Sequence, residues 1–405
     1  MTVTRPNVTA IVKRRTKWWQ VGFVVLCAAW WLQKLVWTNS DNQWDFRVYY
    51  HSAQAWRAGL DPYDTASLPE DLRTGGFKFN YPPYSLGVFG PITLLPLQRA
   101  MLLYLALKVI ALGWLVRIWG RLLRASISEP AWILFLIFAY SSTIFIDFAA
   151  GSVTTFEQCL LWFGMAALLE KRYWTYVAAV VGASLFRLAP IVLLLACLAV
   201  PDSRRYRFVA CGIAAFAGIF LLTYALSPRL TVEFLQSISK NFGERGRLNP
   251  SLGPLVLDVT EHVKRAYGVT LTSVVQAAIY LTITAAVLVP TTVFVRRIAR
   301  TEAANRMEVS LYLMLLAYAL VMPRFRNYHY MLLIVPTYYI ATRSTALRPA
   351  IPLLLIACLP IYSWITRADN ITLIANYSQW LIALGAWALY LHELRGGGLL
   401  SVETS

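Results

Sequence analysis

Three short stretches of this sequence carry residue types that do chemistry. The first reads Asn42-Gln43-Trp44-Asp45-Phe46-Arg47-Val48-Tyr49-Tyr50-His51-Ser52-Ala53. Asp45, Tyr49, Ala53 and Trp56 recur at spacings of four and three, which predicts one face of a helix with Asp45 near its start. A lone acid at the lip of a membrane cavity suits a general base, taking a proton from a sugar hydroxyl as that oxygen attacks an activated carbon. The competing reading is an acid that stabilises the positive end of a helix dipole. The second stretch is Arg187-Leu188-Ala189-Pro190, which interrupts two short apolar runs. An Arg there is costly in lipid unless it faces a cavity or an anion. A lipid-linked phosphate is such an anion, bound bidentately; a buried acid such as Asp147 or Glu157 would serve as a structural partner instead. The third is Met322-Pro323-Arg324-Phe325-Arg326-Asn327-Tyr328-His329-Tyr330. Its arginines and His329 suit phosphate or sugar binding, with His329 donating a hydrogen bond or a proton. They equally suit an ordinary interfacial belt.

Weaker signals surround these. Phe77-Lys78-Phe79-Asn80-Tyr81-Pro82-Pro83-Tyr84 adds Lys78 and Tyr81 as candidate substrate-binding residues. Asp61-Pro62-Tyr63-Asp64 is first of all a turn. Asn249-Pro250-Ser251-Leu252-Gly253 either caps a helix or contacts a sugar. Lys108 lies inside an apolar run, where it snorkels or pairs. The cysteines (Cys27, Cys159, Cys197, Cys211 and Cys358) all sit in apolar segments without motif spacing, so they read as small core residues with no disulfide and no zinc site. No cofactor is expected. The sequence has no metal-ligand cluster, no Gly-rich phosphate loop and no DxD on the side where the candidates fall. That disfavours a soluble nucleotide-sugar donor and favours a lipid phosphate.

The elements that must position these residues are membrane spans. Of 405 residues, 58% are hydrophobic and 14% charged, against roughly 25% charged in a soluble domain. The net charge of +17 reads as topology rather than nucleic-acid binding, because the basic residues sit between apolar runs, as on the cytoplasmic side of a membrane. A first helix is expected from about Trp18 to Trp37, retained rather than cleaved, with the N-terminus cytoplasmic. Residues 38–97 read as an outer loop with interfacial helices. The apolar run Tyr84 to Leu97 is placed in the interface, because crossing there would put Arg117, Arg121 and Arg124 outside. Spans follow from about Gln98 to Trp119, Ala131 to Ala149 and Thr154 to Leu169. Tyr173 to Phe186 and Pro190 to Val200 read as two short helices broken at Arg187. Phe208 to Leu226, Thr270 to Val295, Met307 to Met322, Tyr328 to Thr342, Ile351 to Ile365 and Ile371 to His392 complete the set, with Ser227 to Val269 as a polar outer loop. The expectation is an all-α integral membrane protein, a polytopic helical bundle of about 12 transmembrane helices in one domain, residues 1–405. Both termini are then cytoplasmic, and Asp45, Arg187 and His329 share the outer face.

Asp45-Phe46 with Tyr49 and Ala53, then Pro62-Tyr63-Asp64, then Phe79-Asn80-Tyr81-Pro82-Pro83 resembles the first-loop pattern of glycosyltransferase family 87, a family of GT-C superfamily membrane enzymes. Gly151 with Gln158 is similar to a family Gly-x-Gln segment, at a stretched spacing. Arg187-Leu188-Ala189-Pro190 resembles the family's Lys-x-x-Pro break, with Arg for Lys. Asn249-Pro250-Ser251 resembles its Asn-Gln-Ser loop, and Pro323 through His329 its Pro-to-His turn. The resemblance implies a GT-C fold and an inverting sugar transfer from a polyprenyl-phosphate donor, mannose by default, to a lipid or glycan acceptor. The acceptor would be reached at the outer face of the cytoplasmic membrane. It makes Asp45 the catalytic base and Arg187, Lys78, Tyr81, Arg324 and His329 the substrate-binding residues. The rival from another class is a lipid or glycan transporter or flippase, since paired half-helices also suit transport; a non-catalytic scaffold is a third.

Overall fold

The computed structural model describes residues 42–73, 77–124, 130–240, 244–344 and 369–400, and these are helical with no strand among them. The expected first span and the Ile351–Ile365 span lie outside the described residues, as do Cys27 and Cys358. In chain order the helices are α1 (Trp44–Arg57), α2 (Tyr84–Phe89), α3 (Leu97–Leu123), α4 (Pro130–Ala150), α5 (Thr154–Leu169), α6 (Tyr173–Phe186) and α7 (Arg205–Leu226). Then come α8 (Pro228–Lys240), α9 (Leu252–Tyr267), α10 (Ser273–Ala299), α11 (Arg306–Val321), α12 (Ile334–Arg343), α13 (Asp369–Asn376) and α14 (Ser378–Arg395). Short 3₁₀ helices include Gly90–Leu94, Ala189–Ala199 and Asn327–Leu333.

Four helices, α3, α4, α7 and α10, are long and apolar enough to cross a membrane. Three of them bury little of their surface inside the protein, so their leucines and valines face outward, as lipid contact demands. Cys211 is exposed on α7, which corrects its reading as a core residue. By contrast α11 is apolar on all sides and almost wholly buried among its neighbours, the pattern of a central helix. The run from Tyr84 forms α2 and the 3₁₀ turn to Leu94, too short to cross a bilayer. It packs on α1 through Tyr50, whose hydroxyl donates to the Leu95 carbonyl at 2.7 Å, and Arg57, which donates to Thr93 Oγ1 at 2.7 Å.

Two expectations change in detail. The 227–269 stretch is not an open loop. Most of it folds into α8 and α9, each apolar on one face and charged on the other, a pattern that shorter-range loop reading overlooks. The span expected from Ala131 to Ala149 is broken in its middle: Tyr140, Ser141 and Ser142 adopt left-handed backbone angles. Tertiary partners hold that break. Gln379 donates to the freed Tyr140 carbonyl at 2.5 Å, Tyr140 Oη and Thr337 Oγ1 share a hydrogen bond, and Thr143 Oγ1 donates to the Asn327 carbonyl at 2.7 Å.

The far end of α4 anchors the start of α1. The Gln43 backbone N–H donates to the Ala149 carbonyl at 2.7 Å, and its side-chain amide donates to the Phe148 carbonyl at 2.5 Å. Gly151 makes this approach feasible. It sits at φ +67, and a Cβ there would fall 2.5 Å from Gln43 Oε1 and 2.9 Å from Phe46 Cβ. One turn below, Lys108 of α3 and Asp147 of α4 form a fully buried ion pair at 2.8 Å. Lys108 Nζ also donates to the Asp147 and Ser152 carbonyls at 2.8 Å each, and Thr155 Oγ1 donates to Asp147 Oδ2 at 2.5 Å. Lys108 therefore pairs rather than snorkels, and α3, α4 and α5 meet at one charge pair. Removing one member of such a pair strands the other charge at a cost of about 3–5 kcal/mol, while replacing both by apolar residues is much milder. Lys108→Met is expected to lower the thermal midpoint of the detergent-solubilised protein sharply, and the Lys108→Met/Asp147→Leu double variant to recover most of the loss. Equal destabilisation in the single and double variants would contradict the pairing.

Candidate active site

Asp45, Lys78, Tyr81, Arg187, Arg324 and His329 all line one cavity of about 360 Å³. Residues 284 positions apart in the chain thus converge, and they arrive on four separate elements. Asp45 comes on the first turn of α1. Its neighbours Tyr49 and Ala53 are buried on the same face, whereas Trp56 departs from the predicted stripe and is 40% exposed. Lys78 and Tyr81 follow on the irregular 77–81 segment. Arg187 sits in extended backbone between α6 and the 3₁₀ helix that Pro190 helps to start. Arg324 and His329 lie on the turn between α11 and α12.

Asp45 is buried, with Oδ1 4.0 Å from Arg326 Nη1 and Oδ2 enclosed without any hydrogen-bond partner. Burial raises its carboxyl above the ordinary carboxylate range, and the nearby Arg326 and Arg187 charges oppose that rise only in part. A helix-dipole acid has no need of such an enclosed, unpaired oxygen. An acid that accepts a proton from a ligand does.

The Arg187 guanidinium is almost fully engaged by protein. Nη1 donates to Glu157 Oε2 at 2.7 Å and Thr154 Oγ1 at 2.9 Å, and Nη2 donates to Ser152 Oγ at 3.0 Å and Tyr81 Oη at 3.3 Å. The Tyr81 and Tyr49 hydroxyls share a hydrogen bond at 2.7 Å, which joins this cluster to α1. The Tyr328 ring lies 5.3 Å from the guanidinium carbon. Of the two acids considered as partners, Glu157 takes Arg187 and Asp147 is taken by Lys108. Arg187 nonetheless lines the cavity, so its charge acts there.

Arg324 and Arg326 both grip Glu244. Arg324 Nη2 donates to Glu244 Oε2 at 2.8 Å, Arg326 Nε to the same oxygen at 2.9 Å, and Arg326 Nη2 to Oε1. Burial favours the neutral form of Glu244, but the two guanidiniums outweigh it and hold its carboxyl below the usual range. His329 Nδ1 accepts the Arg326 backbone N–H at 3.1 Å. In the neutral ring that places the proton on Nε2, which is buried without a partner at the cavity wall. The Asn249–Gly253 stretch does not line the cavity; it clamps the turn. Asn249 Oδ1 accepts from the Phe325 N–H and from Ser251 Oγ, each at 2.9 Å, and Ser251 Oγ also lies 3.0 Å from the Pro323 carbonyl. A Cβ at Gly253 would sit 2.7 Å from that carbonyl.

Two cavity residues were not singled out by sequence reasoning alone as binding groups, and a third, Arg326, was considered only jointly with Arg324 as one of the two arginines of the turn. Glu244 is a lone acid in a basic stretch and gave no signal. Gln158 was noted only for its resemblance. Together the walls carry four cations (Lys78, Arg187, Arg324 and Arg326) and three carboxylates (Asp45, Glu157 and Glu244), an excess of positive charge. No group of three or more His, Cys, Asp or Glu that could hold a metal occurs among the described residues.

The family model for glycosyltransferase family 87 matches residues 79–323, more than half of the chain. The chain belongs to glycosyltransferase family 87. No curated protein matches it. As a family 87 glycosyltransferase it uses a sugar donor and an acceptor, and its long apolar helices fit a membrane protein. Membership also sets it among transferases rather than transporters. Tyr81, Gln158, Arg187 and Glu244 fall within the matched stretch, while Asp45, Lys78, Arg326 and His329 flank it and reach the same cavity only through the fold. The clamp on the 323–329 turn gives a direct check. Asn249→Ala leaves the Phe325 N–H unpaired in a buried site, which costs about 1–3 kcal/mol. Lower thermal stability is expected, with sugar transfer falling further than in an exposed control such as Arg265→Ala.

Proposed function

We propose that this glycosyltransferase moves a sugar, mannose by default, from a polyprenyl-phosphate donor to a hydroxyl of a lipid or glycan acceptor, with inversion at the anomeric carbon. The observation that carries the reading is the unpartnered Asp45 Oδ2 in a cavity whose walls hold surplus positive charge. Asp45 takes the proton of the acceptor hydroxyl as that oxygen bonds to C1 of the sugar. The bond from C1 to the phosphate oxygen breaks, and the polyprenyl phosphate leaves with the electron pair. Lys78, which has no ion-pair or hydrogen-bond partner among the described residues, and Arg324 are the groups placed to take the phosphate. Arg187, already paired with Glu157, adds its charge to the same field. His329 Nε2–H is a donor for a sugar or phosphate oxygen, and Tyr81, also on the cavity wall, holds Arg187 through its hydroxyl. The proposed site of this work is the outer face of the cytoplasmic membrane, a reading that the resemblance of the first loop and the placement of arginines between spans support, with a polyprenyl chain lying in the bilayer beside the exposed apolar helices.

General-base assistance contributes about 10²–10⁴-fold. Asp45→Asn, purified and offered a polyprenyl-phosphate mannose with an extract of membrane acceptors, is expected to lose at least about 100-fold in transfer. Near-normal transfer by a well-folded variant would sink the assignment. The pH profile adds a signed test. The base must be deprotonated, so activity should rise with pH through a limb set above the ordinary carboxylate range. Arg326 lowers that pKa, so Arg326→Gln should move the limb further up in pH; a shift downward would contradict the geometry.

A further inference from the structure

Three polar side-chain atoms on the wall of this cavity are buried and lack any hydrogen-bond partner: Asp45 Oδ2, His329 Nε2 and Gln158 Oε1. The first two belong to the reaction already described. Gln158 is not explained by it. The residue is 2% exposed on α5, next to Glu157. Glu157, Thr154 and Ser152 around it are all consumed by Arg187, yet no protein group satisfies the Gln158 carbonyl. The wall of the cavity also carries apolar and aromatic side chains, among them Leu161, Phe186, Tyr318, Met322 and Leu332. A buried amide carbonyl left open in such surroundings destabilises the fold, and Leu or Met would fill the same volume without that cost. An open carbonyl at this position points to a ligand that completes it.

We infer that Gln158 is a specificity-determining residue that binds a hydroxyl of the transferred sugar, an inference that rests on the proposed sugar transfer. The chemistry selects which part of the donor meets it. A carbonyl oxygen accepts an O–H from a sugar hydroxyl but repels the oxygens of a phosphate, and the cations lie on other residues of the wall. The amide N–H₂ beside it is free to donate to a neighbouring hydroxyl, so a vicinal diol matches both ends. Aromatic side chains on the wall of the same cavity, Tyr318 and Phe325, suit the C–H face of a pyranose. Gln158 makes no contact in this scheme with the acceptor oxygen or the leaving phosphate. It selects and orients the ring whose C1 the acceptor oxygen attacks as Asp45 takes that oxygen's proton.

A site built to pair a hydroxyl rejects analogues that lack it by far more than an apolar pocket rejects a missing methylene. The test compares polyprenyl-phosphate mannose with its 2-, 3-, 4- and 6-deoxy counterparts, using wild type and Gln158→Leu in detergent. One deoxy donor is expected to be at least about 100-fold poorer than the parent with wild type. With Gln158→Leu the parent should fall to the level of that deoxy donor, so the discrimination collapses while transfer from the deoxy donor stays within a few-fold. The same variant, free of the open carbonyl, should unfold at an equal or higher temperature than wild type without substrate. Transfer and discrimination unchanged in Gln158→Leu would overturn the inference and leave the proposed function standing. A variant that loses stability and all donors alike would mark Gln158 as structural and overturn it too; Gln158→Met, closer in shape, guards against a packing artefact in that comparison. No transfer by wild type from any polyprenyl-phosphate hexose would remove the donor reading, and this inference with it.

Discussion

A guanidinium cannot remain charged in an apolar interior unless its hydrogens are met, and Arg187 imposes that condition on most of the site. Its four side-chain hydrogen bonds draw in Ser152 and Thr154 from the start of α5, Glu157 one turn later, and Tyr81 from the first polar segment. Tyr81 passes the constraint through Tyr49 to α1, and α1 carries Asp45. The helix break at Arg187 is therefore not a local irregularity. It is the point from which the positions of the candidate base and of the sugar-facing wall are set.

Beneath it the Lys108–Asp147 pair does the same for the scaffold. Lys108 holds the Ser152 carbonyl, and Ser152 in turn meets Arg187. Two buried charge pairs are thus stacked through a single turn, 147–152, whose left-handed Gly151 lets Gln43 and the start of α1 close against it. Such pairs add little net stability over well-packed apolar residues. Their value here is geometric, since each fixes which helices meet and in what register.

The cavity itself combines satisfied and unsatisfied groups. Glu244 neutralises much of the Arg324 and Arg326 charge while holding both side chains at the wall. Asp45, Gln158 and His329 are each left with an open atom. In a protein interior most buried polar atoms are paired, so open atoms gathered on one wall describe the ligand's hydrogen-bonding pattern in negative. Asp45 and Gln158 come on the regular helices α1 and α5, while His329 comes on the 3₁₀ turn at Asn327–Leu333 and Arg187 on the helix break. Non-helical backbone at membrane depth persists where it is buried in protein or lines a cavity, and both segments meet that requirement.

Much of this was legible in the residues. Apolar run lengths and the placement of arginines are local properties, and they marked the helical class, the short 84–97 segment and the two half-helices around Arg187; the motif residues of the first loop carried the family resemblance. Asp45, Arg187 and His329 stood out because a charged or titratable group beside an apolar span is costly and so conspicuous. Partner choice was not legible. Nothing in the spacing says that Glu157 rather than Asp147 takes Arg187, that Glu244 bridges two arginines, or that Asn249 and Ser251 clamp a turn instead of touching a sugar. The kink at Tyr140 was equally hidden, because its carbonyl is met by Gln379, more than two hundred residues away. By itself the sequence determined the solvent of the fold and the chemical vocabulary of the site. Only the tertiary structure decided which buried charges neutralise one another and which atoms stay open, because pairing depends on distances between helices that no local pattern encodes.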